Sequence, residues 1–447
     1  MRTLVVVLIG LLVTFEPARA QAPSNAAPPP VTLAELERLA VEHNPTTGAA
    51  DAVRAAAAGR ARQAGAWPNP VVGYSADELI GRGAPDPRGA HGLFVEQTIP
   101  LGGKLRLAQG VFERAIEQAD VRIELQRQRI VTSVRSAYYG LLTAERRVEI
   151  YDRLAALGVE AAGVTAQLFN VGMADRPDFL EMEIEARRVQ LALNAAKNGA
   201  FALRQQLAAV VGVPEIALRP LAGSIDDAIP ELARDPTLRA IVERSPQIRS
   251  ARADIARAQA MTARARRETY PDLFLRGGAT YNRERGETTF RPIGWEGQLA
   301  GGISIPLFDR NRGGIAAATA DQLRLQAELR RIELSLQAAA AVEFARYLTA
   351  LRSAEAYRAE ILPRAEQAYT LYLARYREMA AAYPQVLTSQ RTLFDMSVRY
   401  LDSVEDAWRS ALRLEGALPG DGLQRVETDA EDAVGERYVG REQESMR

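Results

Sequence analysis

The sequence predicts a mainly α-helical protein with a small β part, and three observations predict it. The first is a proline-free stretch from Gly103 to Asn170. Within it, Ile130, Val134, Ala137, Leu141, Ala144, Val148, Tyr151, Ala155, Gly158, Ala162, Thr165 and Phe169 recur at alternating intervals of four and three. That rhythm is a coiled-coil seam. At about 1.5 Å per residue the helix reaches roughly 100 Å, too long for a compact enzyme domain. Arg122, Arg127, Arg129, Arg135, Arg146, Arg147 and Arg153 exclude it from lipid, so it stands in water against other helices. The second observation is an internal repeat, and the third is a set of four strand-like segments with one apolar and one polar face.

In chain order, Arg2, the apolar run from Leu4 to Phe15 and the small-x-small site Ala18-Arg19-Ala20 predict a secretory signal peptide over 1–20, cleaved near Ala20. A Pro/Ala-rich leader over 21–32 ends at Thr32, a candidate helix N-cap. An alanine-rich helix is expected from Leu33 to Ala66, with Asn44-Pro45 kinking or restarting it. Trp67-Pro68-Asn69-Pro70 stops the helix. A strand pair over 71–99 follows, Val71 to Glu78 and Leu93 to Ile99, around a Gly/Pro-rich loop from Ile80 to Gly92. Pro100-Leu101-Gly102-Gly103 releases the long helix over 103–170, which stops at Gly172. Asp175-Arg176-Pro177 then starts a returning helix over 178–211. Two helices so closely joined are antiparallel neighbours.

After a proline-punctuated linker over 213–236 the programme restarts. Ser245-Pro246 echoes Asn44-Pro45, Tyr270-Pro271-Asp272 echoes Trp67-Pro68-Asn69, and Ile305-Pro306-Leu307 echoes Ile99-Pro100-Leu101. Repeat 1 therefore covers 33–212 and repeat 2 covers 237–418. The second copy carries a strand pair over 273–305, a long helix over 313–379 and a final helix over 384–418. The polar residues 419–447 are expected to be a disordered tail.

The strands carry the functional clue. One face of Leu273 to Tyr281 shows Leu273, Leu275, Gly277, Ala279 and Tyr281, and one face of Trp295 to Ile305 shows Trp295, Leu299, Ile303 and Ile305. The opposite faces hold Arg276, Thr280, Glu296, Gln298 and Ser304. Apolar-out, polar-in strands of this length suit a transmembrane β-barrel. Four strands neither close a barrel nor hide their edges in lipid, so other protomers must complete it.

Composition narrows the function. Lys plus Arg and Asp plus Glu both number 56, leaving no overall charge to favour nucleic acid or an anionic membrane. Cysteine is absent, which excludes disulfides, thiolate metal sites, a cysteine nucleophile and acylation of an N-terminal cysteine. His43 and His91 are the only histidines and suggest no metal pair. Gly102-Gly103-Lys104 lacks the upstream glycine of a phosphate loop and is expected to be a turn. No enzyme site, metal site or cofactor emerges from this inventory.

Asn44-Pro45, Trp67-Pro68-Asn69-Pro70, Ile99-Pro100-Leu101-Gly102-Gly103-Lys104, Ile305-Pro306-Leu307-Phe308-Asp309 and Leu387-Thr388-Ser389-Gln390-Arg391-Thr392-Leu393, in this order, resemble the TolC-type outer-membrane efflux proteins. The resemblance spans about Leu33 to Leu418. It implies a homotrimer whose twelve-stranded transmembrane β-barrel sits in outer-membrane lipid above a long α-helical barrel in the periplasm. It also implies a periplasmic membrane-fusion adaptor and an inner-membrane pump of the RND type as partners. Leu101-Gly102-Gly103-Lys104 is most similar to the branch that exports heavy-metal cations. The rival reading is a soluble periplasmic coiled-coil adaptor or scaffold, which needs neither lipid-facing strands nor a second copy.

The mouth of such a duct is expected at the helix tips farthest from the strands. The family carries acids there on the helix leaving the second tip, but Gln385 and Thr388 occupy those positions, while Asp178 and Glu181 stand at the first-repeat equivalents with Asp175 just ahead. Three copies of these acids are expected to ring the mouth and favour cations. Asn170, Val171, Gly172, Met173, Ala381 and Ala382 are the candidate adaptor-docking residues. In place of the family's usual second-tip glycine the chain has Glu378-Met379-Ala380.

Overall fold

The computed structural model describes residues 29–77, 89–225, 229–285 and 292–416. The expected signal peptide, most of the leader, most of the first strand loop and the expected tail lie outside them. Thr32 opens α1 (Leu33–His43), its hydroxyl accepting a hydrogen bond from the Glu35 amide at 3.3 Å. The helix expected over 33–66 is in fact two helices, because Asn44 is extended and Pro45 starts α2 (Pro45–Ala64). Proline has no amide hydrogen and fits a first helical turn, so the break falls just before it. Buried Asn44 secures the break: its Oδ1 accepts from the Thr46 amide at 3.0 Å, and its Nδ2 donates to the Val210 carbonyl at 2.8 Å.

The strands β1 (Val71–Asp77) and β2 (Ala90–Pro100) lead into α3 (Lys104–Asn170), a helix of 67 residues. β2 starts ahead of the expected Leu93. Gly92 belongs to the strand, where a Cβ would lie 2.3 Å from the Thr280 methyl, so this glycine permits a close strand contact rather than marking a loop. The buried face of α3 includes Ile130, Val134, Leu141, Ala155, Gly158 and Thr165 from the seam, but also Thr132, Tyr138, Leu142, Leu154 and Ala161. It is wider than a two-helix seam because α3 packs on α4 (Arg176–Val211) and on helices of the second repeat.

The linker holds a 3-10 turn at Pro214–Leu218 and a parallel bridge between Leu221 and Val31. The second repeat comprises α5 (Arg234–Arg244), α6 (Pro246–Arg267), β3 (Asp272–Arg285), β4 (Pro292–Ser304), α7 (Arg312–Ala356), α8 (Leu362–Arg377) and α9 (Tyr383–Glu415). α5 begins before the expected boundary at 237, and β3 runs beyond Tyr281. The single helix expected over 313–379 is interrupted by a π turn at Tyr357–Ile361. Pro363 explains the interruption: it donates no hydrogen bond and would crowd the carbonyl four residues back, and a wider turn just ahead relieves both.

The repeats also match in their buried tyrosines. Tyr138 on α3 donates to the Ala222 carbonyl, and Tyr347 on α7 donates to the Pro230 carbonyl at 2.5 Å and accepts from the Leu232 amide at 3.2 Å. Each long helix thereby holds one stretch of linker. The strands form one antiparallel sheet in the order β1-β2-β3-β4, so β2 and β3 join the repeats and β1 and β4 form the edges.

Candidate functional site

The sheet separates two surfaces by its pleat. The register aligns Tyr74 with Leu93, Leu93 with Ala279, and Tyr281 with Trp295. This places Val72, Tyr74, Leu93, Val95, Leu275, Trp295, Leu299 and Ile303 on one face, all exposed, with Leu299 88% and Trp295 75% accessible. An apolar patch of this extent on one chain calls for a partner or for lipid. The opposite face carries Glu96, Arg276, Thr280, Glu296 and Gln298, and the Arg276 guanidinium lies 3.6 Å from the centre of the Phe94 ring. No helix of the described residues is long and apolar enough to cross a membrane.

The first long helix of each repeat leaves this sheet through one kind of joint. Gly102 and Gly103 have φ of +70° and +73°, and a Cβ on Gly102 would lie 2.9 Å from Tyr270. The turn brings Lys104 to the other repeat, where its Nζ donates to Asp272 Oδ1 at 2.9 Å beside the Leu101 amide at 3.2 Å. Asn311, with φ of +48°, starts α7 as Gly103 starts α3.

At the far end the two hairpins close around Leu154, Met182, Val189, Tyr369, Tyr376, Tyr383 and Val386. Gly172 ends α3 with φ of +77°, and Met379 takes the same left-handed position after α8 with φ of +57°. The closing bonds correspond: the Met173 amide reaches the Leu168 carbonyl at 2.8 Å, and the Ala380 amide reaches that of Arg375 at 2.7 Å. The second tip thus forms without glycine. Asn170, Val171, Gly172, Met173 and Ala382 are exposed, and Ala381 is half-buried.

Asp175 precedes α4, and Asp178 and Glu181 lie in its first turns. Partial burial, then the negative charges of Asp175 and Glu181, raise the Asp178 carboxyl above its usual range. Gln385 and Thr388 instead line a groove between α8 and α9 beside Tyr372, and the Gln385 side chain accepts from the Ala382 amide at 3.3 Å.

Two contacts here were not singled out from the sequence. Tyr383 donates to Glu181 Oε2 at 3.1 Å, tying α9 to α4, and burial followed by Glu181 holds this phenol protonated far into the alkaline range. Glu185 is 2% exposed, and Arg391 donates to it at 3.2 Å while Arg188 lies at 3.7 Å. A signal existed for the second: Glu185 interrupts an apolar stripe of Met182, Val189 and Leu193, where an acid requires a partner. Tyr383 gave none, being one aromatic among many in a core stripe. Among the described residues no His, Asp and Glu side chains group to hold a metal ion.

Residues 36–213 and 237–419, one segment in each repeat, match the family model for the outer membrane efflux protein. The chain belongs to the outer membrane efflux protein family. It is 26% identical over 320 residues to the cobalt-zinc-cadmium resistance protein CzcC of Cupriavidus metallidurans, covering 72% of this chain and 75% of that protein. It is 28% identical over 322 residues to the nickel-cobalt-cadmium resistance protein NccC of Alcaligenes xylosoxydans xylosoxydans, covering 70% and 69%. The solved outer-membrane channel OprN shares the fold with a TM-score of 0.73 at 20% identity, over 88% of this chain and 91% of that one. An outer membrane efflux protein is a conduit, and its residues are to be judged by what they let pass rather than by a reaction.

Proposed function

We propose that three copies of this efflux protein form the exit duct of a tripartite pump, their sheets closing one twelve-stranded barrel in the outer membrane and their helices forming one periplasmic tube. The supporting observation is the exposed apolar face of a four-stranded sheet with two open edges, jointed directly to the long helices. In lipid every backbone group needs an internal partner, so β1 of one copy pairs with β4 of the next. The tube then meets a membrane-fusion adaptor and an inner-membrane pump of the RND type at its tips. Asn170, Val171, Gly172, Met173, Ala381 and Ala382 form the docking surface. Asp175, Asp178 and Glu181 face the mouth and favour cations, with Gln385 and Thr388 contributing neutral polar groups.

The cargo is a heavy-metal cation. The names of CzcC, a cobalt-zinc-cadmium resistance protein, and NccC, a nickel-cobalt-cadmium resistance protein, support this, as does the placing of Asp175, Asp178 and Glu181 together at the start of α4.

Planar-bilayer recording tests the mouth. Asp178→Ala with Glu181→Ala is expected to reduce cation preference; unchanged conductance and preference would remove these residues from the mouth. Photo-crosslinkers at Val171 and Ala382 are expected to capture the adaptor. Capture only from positions near the sheet would reverse the orientation.

A further inference from the structure

The electroneutral total conceals a segregated charge. The four helix ends that meet the sheet, residues 58–70, 100–109, 262–272 and 305–314, hold nine basic side chains: Arg60, Arg62, Lys104, Arg106, Arg264, Arg266, Arg267, Arg310 and Arg312. Their acids number three, Glu268, Asp272 and Asp309, which leaves six positive charges in a chain whose total is zero. The register puts all four junctions at one end of the sheet, since Pro100 faces Asp272, Asp272 faces Ser304, and Val71 at the start of β1 faces Glu96 near the close of β2.

All three acids are engaged locally. Asp272 accepts from Lys104, and Glu268 lies 3.6 Å from Arg264. Asp309 accepts from the Asn311 amide. Arg62, Arg106, Arg266, Arg267, Arg310 and Arg312 are exposed. At the same level stand exposed Trp67, Tyr270, Ile305, Leu307 and Phe308, the last fully accessible, and the Arg267 guanidinium lies 4.7 Å from the centre of the Tyr270 ring.

Aromatic rings beside long cationic side chains, at the border between an apolar sheet face and water-borne helices, match the level of lipid headgroups. We infer that this collar binds anionic phospholipid headgroups of the periplasmic leaflet through their phosphates. The inference rests on the reading that the sheet spans the outer membrane. It adds the charge of the lipid and the residues that select it. Concentrated positive charge draws anionic headgroups and is screened by salt.

The test uses the full-length protein in mixed micelles and native mass spectrometry, with phosphatidylglycerol competing against phosphatidylcholine of the same chain length. Wild-type protein is expected to retain phosphatidylglycerol about tenfold over phosphatidylcholine at low salt. Arg266→Gln, Arg267→Gln, Arg310→Gln and Arg312→Gln combined are expected to bring that ratio near one while the oligomer persists. No enrichment in the wild type, or equal enrichment in the folded variant, overturns the collar. Protection from heat by inorganic phosphate alone, matching that by phosphatidylglycerol, also overturns it in favour of simple phosphate sites.

A second measurement separates the two readings. With Trp67→Phe and Trp408→Phe, Trp295 is the remaining tryptophan, and brominated acyl chains are expected to quench it. Quenching without anionic preference defeats the collar alone; absence of quenching defeats the membrane-spanning sheet on which it rests.

Discussion

The hydroxyl of Tyr383 is the smallest unit that links the two hairpins at the tip. It joins α9 to α4 through Glu181, and a neutral donor to a carboxylate in a half-wet site contributes about 1 kcal/mol. Tyr383→Phe keeps the ring and loses the bond, so hydrogen exchange of the tip amides is expected to quicken about fivefold. Asp178 adds a pH dependence. Its carboxyl is raised above the ordinary value of 3.8, first by burial and then by Asp175 and Glu181. The folded tip therefore binds this proton more tightly than the unfolded chain does. Stability is gained on acidification through the raised value and lost as pH rises through it. Tip protection measured from pH 4 upward is expected to fall with pH in the wild type, and less steeply in Asp178→Asn.

At the scale of elements, the joint between β2 and α3 decides how the sheet meets the long helices. Gly102 and Gly103 both have positive φ, so alanine at either costs about 1–2 kcal/mol of backbone strain. Space distinguishes them: a Cβ on Gly103 meets nothing within 4 Å, whereas on Gly102 it meets Tyr270 at 2.9 Å. Gly102→Ala is accordingly expected to lower the thermal midpoint more than Gly103→Ala, and equal midpoints would show that Tyr270 yields freely. The long helices themselves were legible from the sequence, because a four-three seam without proline permits little else. The π turn before Pro363 was not. A single proline inside a periodic stretch permits a kink, a stop or a wider turn, and packing selects among them.

For the whole molecule, the apolar sheet face sets the environment. Leu299 lies on that face and Gln298 on the other, one residue apart. An arginine at mid-membrane on a lipid face costs about 2–4 kcal/mol, whereas a lumen position tolerates it. Leu299→Arg is expected to deplete the heat-modifiable oligomer in outer-membrane fractions while Gln298→Arg leaves it intact; equal depletion would mean that the two faces share one environment. The alternation of these strands was readable in the sequence, as was the repeat that pairs them. Their full extent was not, since Gly92 and Gly294 look like loop residues until a neighbouring strand lies against them.

The sequence by itself determined the helical class, the duplication, the two-faced strands and the family resemblance, because each depends on periodicity or on landmarks held close along the chain. Only the tertiary structure decided which distant side chains meet. Glu181 with Tyr383, Glu185 with Arg391, and Lys104 with Asp272 are joined across repeats, and no local pattern records such a pairing. The arginine collar belongs to the same class. Nine basic residues scattered over four segments come to one level only because antiparallel strands return these four helix ends to one end of the sheet.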